Sequence, residues 1–142
     1  MAKLYADDVH EGTELPPLER CPDTMQLVKY AGAEEDWYQG HYDHNFAVSI
    51  GQKTVFAHGW LTFSFVVTAV TDWLGPDGTL KSARCRYLDT VYPGTELKLG
   101  GLVTKKYEEN GERLFQIELH ATGSDGKTYA QGTAVVALPS RN

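Results

Sequence analysis

The spacing of apolar residues changes character about halfway along the chain, from helical intervals before Gly75 to alternation after it. The first periodic segment follows Pro22. There Asp23 or Thr24 can cap a short helix running to about Gly32, with Met25, Leu27, Val28 and Ala31 as its apolar side. A second short helix is predicted from Asp43 to Ile50, where Phe46, Ala47 and Ile50 recur at helical spacing and Gly51 ends the segment. The longest apolar segment runs from Ala57 to Leu74, with polar breaks at Thr62, Ser64, Thr68, Thr71 and Asp72. Its β-branched content keeps a strand pair as the competing reading, but the lack of a turn signal favours helix. Apolar on nearly all sides and too short to span a membrane, it reads as a helix buried by something wrapped around it. Gly75-Pro76-Asp77-Gly78 stops it.

Beyond Gly78 the chain alternates as strands do: Ala83 to Leu88, Glu96 through Val103 to Tyr107, Leu114 to Leu119, and Tyr129 to Leu138. Turns are predicted at Tyr92-Pro93-Gly94, Glu109-Asn110-Gly111 and Ser124-Asp125-Gly126. The Asn-Gly and Asp-Gly pairs are hairpin signals because both residue types tolerate positive φ. Leu15-Pro16-Pro17-Leu18 reads as an extended entry, since proline fixes φ and removes a donor. The expected fold is α+β, an antiparallel sheet curled around one long central helix.

A length of 142 residues fits one domain, taken as residues 1–142, and leaves little room for a second. The hydrophobic share of 42% is that of a chain that folds. A net charge of -6 argues against nucleic acid as a partner, which would need a concentrated basic face, and gives no reason to expect an anionic membrane. The first residues, Met1 to Asp8, lack the apolar stretch of a signal peptide, so a soluble cytoplasmic protein is expected. Cys21 and Cys85 sit in no pair motif and read as reduced thiols.

The residues that suggest chemistry are Asp36 and His41 in Asp36-Trp37-Tyr38-Gln39-Gly40-His41, followed downstream by Phe56-Ala57-His58-Gly59-Trp60-Leu61. A carboxylate and an imidazole on one loop can grip a single water, as adding water to a double bond requires. These motifs, with the expected helix-in-sheet topology, resemble a single hotdog domain of the MaoC-like, R-specific enoyl-CoA hydratase and dehydratase family. The resemblance covers almost the whole chain. Asp36 and His41 keep the family's five-residue step, His58-Gly59-Trp60-Leu61 is similar to its His-Gly-Met/Leu helix start, and Val91-Tyr92-Pro93-Gly94-Thr95-Glu96-Leu97 is similar to its Val-x-Pro-Gly-Asp-x-Leu turn. Tyr38, Gln39 and Gly40 replace the Asn, Pro and aliphatic residue usual in the loop, and Trp60 stands where Met or Leu is common. The residues around Asp36-Trp37 and His41-Tyr42-Asp43 look closest to a branch acting on bulky acyl-CoA esters, some members of which are halves of heteromers.

The resemblance implies hydration of a 2-enoyl thioester, or dehydration of a 3-hydroxyacyl thioester, with acyl-CoA as substrate. No cofactor is expected beyond the coenzyme A carried by the substrate, and no metal. Chemically, Asp36 and His41 can position water and move protons, while the free N–H of Gly59 at a helix start can face the thioester oxygen as negative charge collects there. Glycine at 59 would let the thioester approach the backbone closely. Tyr38, His58 and Trp60 are expected against the substrate. Each also has a plainer reading: Asp36 can merely turn the loop, His58 can be a structural hydrogen-bonding residue, and Trp60 and Phe63 can belong to the core. His41, Asp43 and His44 lack the spacing of a zinc site. His10 and His120 read as surface or strand positions. Arg84, Arg86, Lys98 and Lys105 can meet coenzyme A phosphates or simply form a solvated face.

Two rival functions remain at this point. One is a hotdog thioesterase, to which Gly40-His41 is superficially similar. The other is a non-catalytic hotdog subunit of a heteromeric dehydratase. Assembly is expected as a homodimer or higher homo-oligomer, with a heteromer as the alternative, because a sheet around one helix leaves edges to cover.

Overall fold

The computed structural model describes residues 3–141. The regular elements are β1 (Leu18–Arg20), α1 (Thr24–Glu34), α2 (His44–Ser49), α3 (Gly59–Leu74), β2 (Thr79–Tyr87), β3 (Leu97–Glu109), β4 (Glu112–Gly123) and β5 (Thr128–Leu138). All strand pairings are antiparallel, and the sheet runs in the order β1-β3-β4-β5-β2. Alternation delivers the core. Leu97, Leu99 and Val103 of β3, Phe115, Ile117, Leu119 and Ala121 of β4, and Ala130, Ala134 and Val136 of β5 are buried on the side that carries α3. The curled sheet with a long helix packed on it is the α+β arrangement that the alternation and the apolar segment imply, and the hotdog fold that the family resemblance implies.

The central helix departs from expectation in one respect. Leu61, Thr62, Phe65, Val66, Ala69, Val70 and Leu74 are buried against the sheet, but Trp60 is 57% exposed and Thr71 and Asp72 face solvent. The curled sheet therefore buries one side of α3 and leaves its other side partly open to solvent. Ser64, Thr68 and Thr71 gather on the open side, where their hydroxyls donate to the main-chain carbonyls of Trp60, Ser64 and Thr68.

Asp23 caps α1 by accepting from Gln26 N at 2.7 Å, and Asp43 caps α2 by accepting from Phe46 N at 3.1 Å. The apolar side expected of α1 is narrower than its sequence suggests. Leu27 and Ala31, one helical turn apart, are buried, whereas Met25 and Val28 are 59% and 42% exposed. Only one stripe of α1 meets the body, and its other apolar residues join Val48 and Ile50 of the α2 region on the surface.

The extended Pro16-Pro17 entry ends in the short edge strand β1, whose Leu18 and Arg20 pair with Leu99 and Leu97. No alternation marks so short a strand. Asn110 and Gly111 take φ of 52° and 77°, joining β3 to β4 through the expected tight hairpin. Gly126 also has positive φ, in the turn before β5. Cys21 and Cys85 are free thiols. No helix among the described residues is long and apolar enough to cross a membrane.

The hairpin yields a stability test. Gly111→Ala places a Cβ in the left-handed region and is expected to lower the unfolding free energy by about 1–2 kcal/mol in urea melts, whereas Asn110→Gly should change it little.

Candidate active site

Glu35 ends α1 in a left-handed conformation, with φ of 61°, and turns the chain into the loop that carries Asp36. Asp36 Oδ1 accepts from Tyr38 N at 3.2 Å, a local turn that leaves Oδ2 free. A 3-10 turn over Gln39–His41 comes next. Gly40 is required here by close packing, since a Cβ would lie 2.7 Å from the Tyr38 ring and 2.8 Å from that of Phe56. Its carbonyl accepts from Phe56 N at 3.2 Å, binding the loop to the segment that leads into α3.

His41 is 7% exposed. Its Nδ1 lies 2.7 Å from the main-chain oxygen of Phe56. A carbonyl can only accept, so Nδ1 carries the proton, and in the neutral ring Nε2 presents a lone pair. That nitrogen stands 3.9 Å from Asp36 Oδ2. The gap is too long for a direct hydrogen bond, but a water about 2.8 Å from both atoms fits it. Burial holds the His41 imidazole below its ordinary range; the Phe56 carbonyl opposes this, His58 adds to the lowering, and Asp36 opposes it. The side chain of Asp36 is 44% exposed, so the pair joins a buried base to a carboxylate at the surface.

His58 completes the cluster. Its ring stacks on His41 with centroids 3.7 Å apart and 24° between planes, and its Nε2 lies 3.2 Å from the main-chain oxygen of Asp36. Asp36, His41 and His58 bring ligand-type atoms within 4.8 Å of one another. They are nonetheless poorly arranged for a metal, because ring nitrogens donate in the ring plane and two nearly parallel stacked rings cannot aim at one ion. Asp43 and His44 are drawn off elsewhere: Asp43 caps α2, and His44 Nδ1 lies 3.2 Å from Thr54 Oγ1.

The other expected residues divide. Tyr38 sits edge-on to His41, Phe46 and Phe56, at the site. Gly59 opens α3 beside His58, and neither its N–H nor that of Trp60 has an acceptor among the described residues, as an oxyanion donor requires. The space where a Cβ at 59 would project is taken by the Tyr87 ring, 2.9 Å away, so packing alone already demands glycine there. Trp60 turns outward onto Phe63 and is not among the groups gathered around His41. His10 is exposed and His120 half-buried on the sheet.

Sequence reasoning missed the Phe56 carbonyl, which no side-chain motif can announce. It also missed Tyr30, whose ring meets His58 edge-on at 5.0 Å, and Tyr87. Clefts of about 600 and 690 Å³ open elsewhere, beside Arg84, Arg86 and His120 and beside Tyr5 and Arg141. Around Asp36 the surface is instead an open rim of exposed aromatic rings, Trp37, Tyr38 and Tyr42.

Residues 9–124 match the family described as the MaoC like domain. The 3-oxo-4,17-pregnadiene-20-carboxyl-CoA hydratase beta subunit of Mycobacterium tuberculosis is 32% identical over 93 residues, covering 66% of this chain and 72% of that protein. The crystal structure of the ChsH1-ChsH2 complex from the same organism superposes with a TM-score of 0.81 at 26% identity, over 91% of this chain and 98% of the matched one. The R-hydratase PhaJ1 from Pseudomonas aeruginosa shares the fold, with a TM-score of 0.86 at 20% identity, over 98% of this chain and 88% of its own.

The buried imidazole has a consequence for pH. As pH falls, the unfolded chain binds this proton first, near the ordinary histidine value of about 6.5, whereas the folded chain binds it only at lower pH. The stability contributed by neutral His41 is therefore complete above that value and is lost on acidification toward the folded-state value. Urea unfolding at pH 7.5 and 5.5 should show a smaller pH-dependent loss in His41→Gln than in the wild type.

Proposed function

The chain belongs to the MaoC-like domain family, and on that premise we propose that it is a hydratase/dehydratase acting on a 2-enoyl or 3-hydroxyacyl thioester, with acyl-CoA as the substrate. The observation that carries this reading is the 3.9 Å separation of Asp36 Oδ2 and His41 Nε2, with Nδ1 pinned on Phe56. In the hydration direction Asp36 accepts one hydrogen of a bound water and His41 Nε2 takes the other as a proton. The water oxygen then bonds to Cβ. The π electrons pass through Cα to the thioester oxygen, where the free N–H of Gly59 stabilises the enolate. Collapse of the enolate returns the proton from His41 to Cα. Atoms balance, and Asp36 ends as it began. A low imidazole pKa serves this cycle, because the resting base is neutral at neutral pH.

Asp36→Asn and His41→Gln are each expected to fold and to lose at least about a hundredfold in turnover. Because both groups act on one water, the double variant should be little worse than either single one. The assay follows loss of conjugated thioester absorbance with a panel of short, long, branched and polycyclic enoyl-CoA esters. Near-normal turnover in both single variants would remove the assignment. Thiol release without loss of the double bond would mark a thioesterase, and absence of both reactions a non-catalytic subunit.

Assembly belongs to the same reading. Among the described residues β2 pairs with β5 along one side only, leaving its other edge free, with Tyr87 and Leu88 exposed at its end. The open rim around Asp36 and the uncovered side of α3 are likewise surfaces that a second hotdog domain would cover. We take that domain to be a second copy of this chain, with a heteromeric partner as the alternative, since the mycobacterial relative is a beta subunit. Light scattering with activity along a dilution series should show turnover falling as the assembly dissociates; a fully active monomer would refute the idea.

A further inference from the structure

We propose that His58 is the positioning residue of this site: it sets the spacing of Asp36 and His41 by bonding the main chain of one and stacking on the ring of the other. The inference rests on the acid–base reading of that pair. His58 occupies the cap position of α3, where Ser, Thr or Asp would bond the first free N–H groups, yet its side chain makes no cap bond. Its main-chain oxygen still accepts from Leu61 N and Thr62 N, so the helix begins normally while the ring is turned toward the loop.

The ring is 1% exposed. Its Nε2 must donate to the Asp36 carbonyl, which leaves Nδ1 with a lone pair, and that atom is buried without a partner among the described residues. A residue present only to fill space would be apolar, because an aromatic ring of similar shape would pack without stranding a polar atom. What a plain ring lacks is the donor that anchors the chain at Asp36. What a plain donor lacks is the flat face against His41. Tyr30 of α1 holds the assembly from behind: it meets His58 edge-on at 5.0 Å, and its hydroxyl lies 3.5 Å from Ser64 Oγ on α3. Ser64 spends its own hydrogen on the Trp60 carbonyl, so Tyr30 is the donor in that contact.

The groups facing His41 are the Asp36 carboxylate from the loop, the Tyr38 ring from the 3-10 turn, the Phe56 carbonyl and His58 itself, with Tyr30 behind His58. Of these, His58 is the polar group in face contact with the imidazole. Removing it relieves the crowding that excludes water from the imidazole, and so part of the burial that disfavours a protonated His41.

The test compares His58→Gln, which keeps a donor, His58→Phe, which keeps a ring, and His58→Ala, which keeps neither. In His58→Ala, kcat should fall at least about tenfold, as displacement of a catalytic group predicts, with KM little changed. Gln or Phe should restore part of the loss, and the melting temperature of the Phe variant should stay near that of the wild type. Histidine NMR titration should place the His41 midpoint higher in His58→Ala than in the wild type. Wild-type turnover in His58→Ala, a loss no greater than the fall in folded protein, or an unmoved His41 midpoint would each overturn the proposal. Failure of the hydratase reading would show separately, as a wild-type protein that leaves every enoyl thioester unchanged; the NMR titration then decides the role of His58.

Discussion

The hydrogen bond from His41 Nδ1 to the Phe56 carbonyl, 2.7 Å long, is the contact on which the site depends. It fixes the tautomer of a buried imidazole and thereby decides which nitrogen faces Asp36. It also ties the loop after α1 to the segment entering α3, so that Asp36 and His41 are anchored to the helix that organises the core. Without it, either ring nitrogen could carry the proton, and the free lone pair would have no defined direction.

Around that bond the chain departs from what local stability would choose. Glu35 adopts a left-handed backbone, a helix cap position is filled by a residue that does not cap, His58 buries an unpaired nitrogen, and aromatic rings stand exposed. Elsewhere the rules agree with one another: Asp23 and Asp43 cap their helices, Asn110-Gly111 turns its hairpin, and alternating residues fill the core. Backbone strain, a missing cap and a stranded polar atom gathered at one place are the departures expected of a functional site.

The loop's departures from the family's usual pattern also acquire a physical meaning. Where the family commonly has Pro and an aliphatic residue before the histidine, this chain has Gln39 and Gly40. Gly40 allows the rings of Tyr38 and Phe56 to close over the position a side chain would take. The wall beside His41 is therefore aromatic, built from Tyr38 and Phe56, with Phe46 edge-on to Tyr38. Such a wall changes what can lie against the pair while leaving the pair itself intact.

The helices, the principal strands and the hairpin turns were legible because each is specified by residues close together in the chain: caps, periodicity, and glycine or asparagine where φ is positive. That Asp36 and His41 lie close together was legible for the same reason, since they are near neighbours on one loop. The half-covered state of α3, the exposure of Met25 and Val28 and the short strand β1 were not legible, since apolar character says what can be buried and not what arrives to bury it. The same holds inside the site. The Phe56 carbonyl meets His41 across 15 positions and His58 meets the Asp36 main chain across 22, and in each pair one partner is a backbone atom that every residue possesses. Sequence alone determined that a carboxylate and an imidazole share one loop; the tertiary structure decided which nitrogen carries the proton and where its lone pair points, because those depend on contacts that exist only once distant segments have packed.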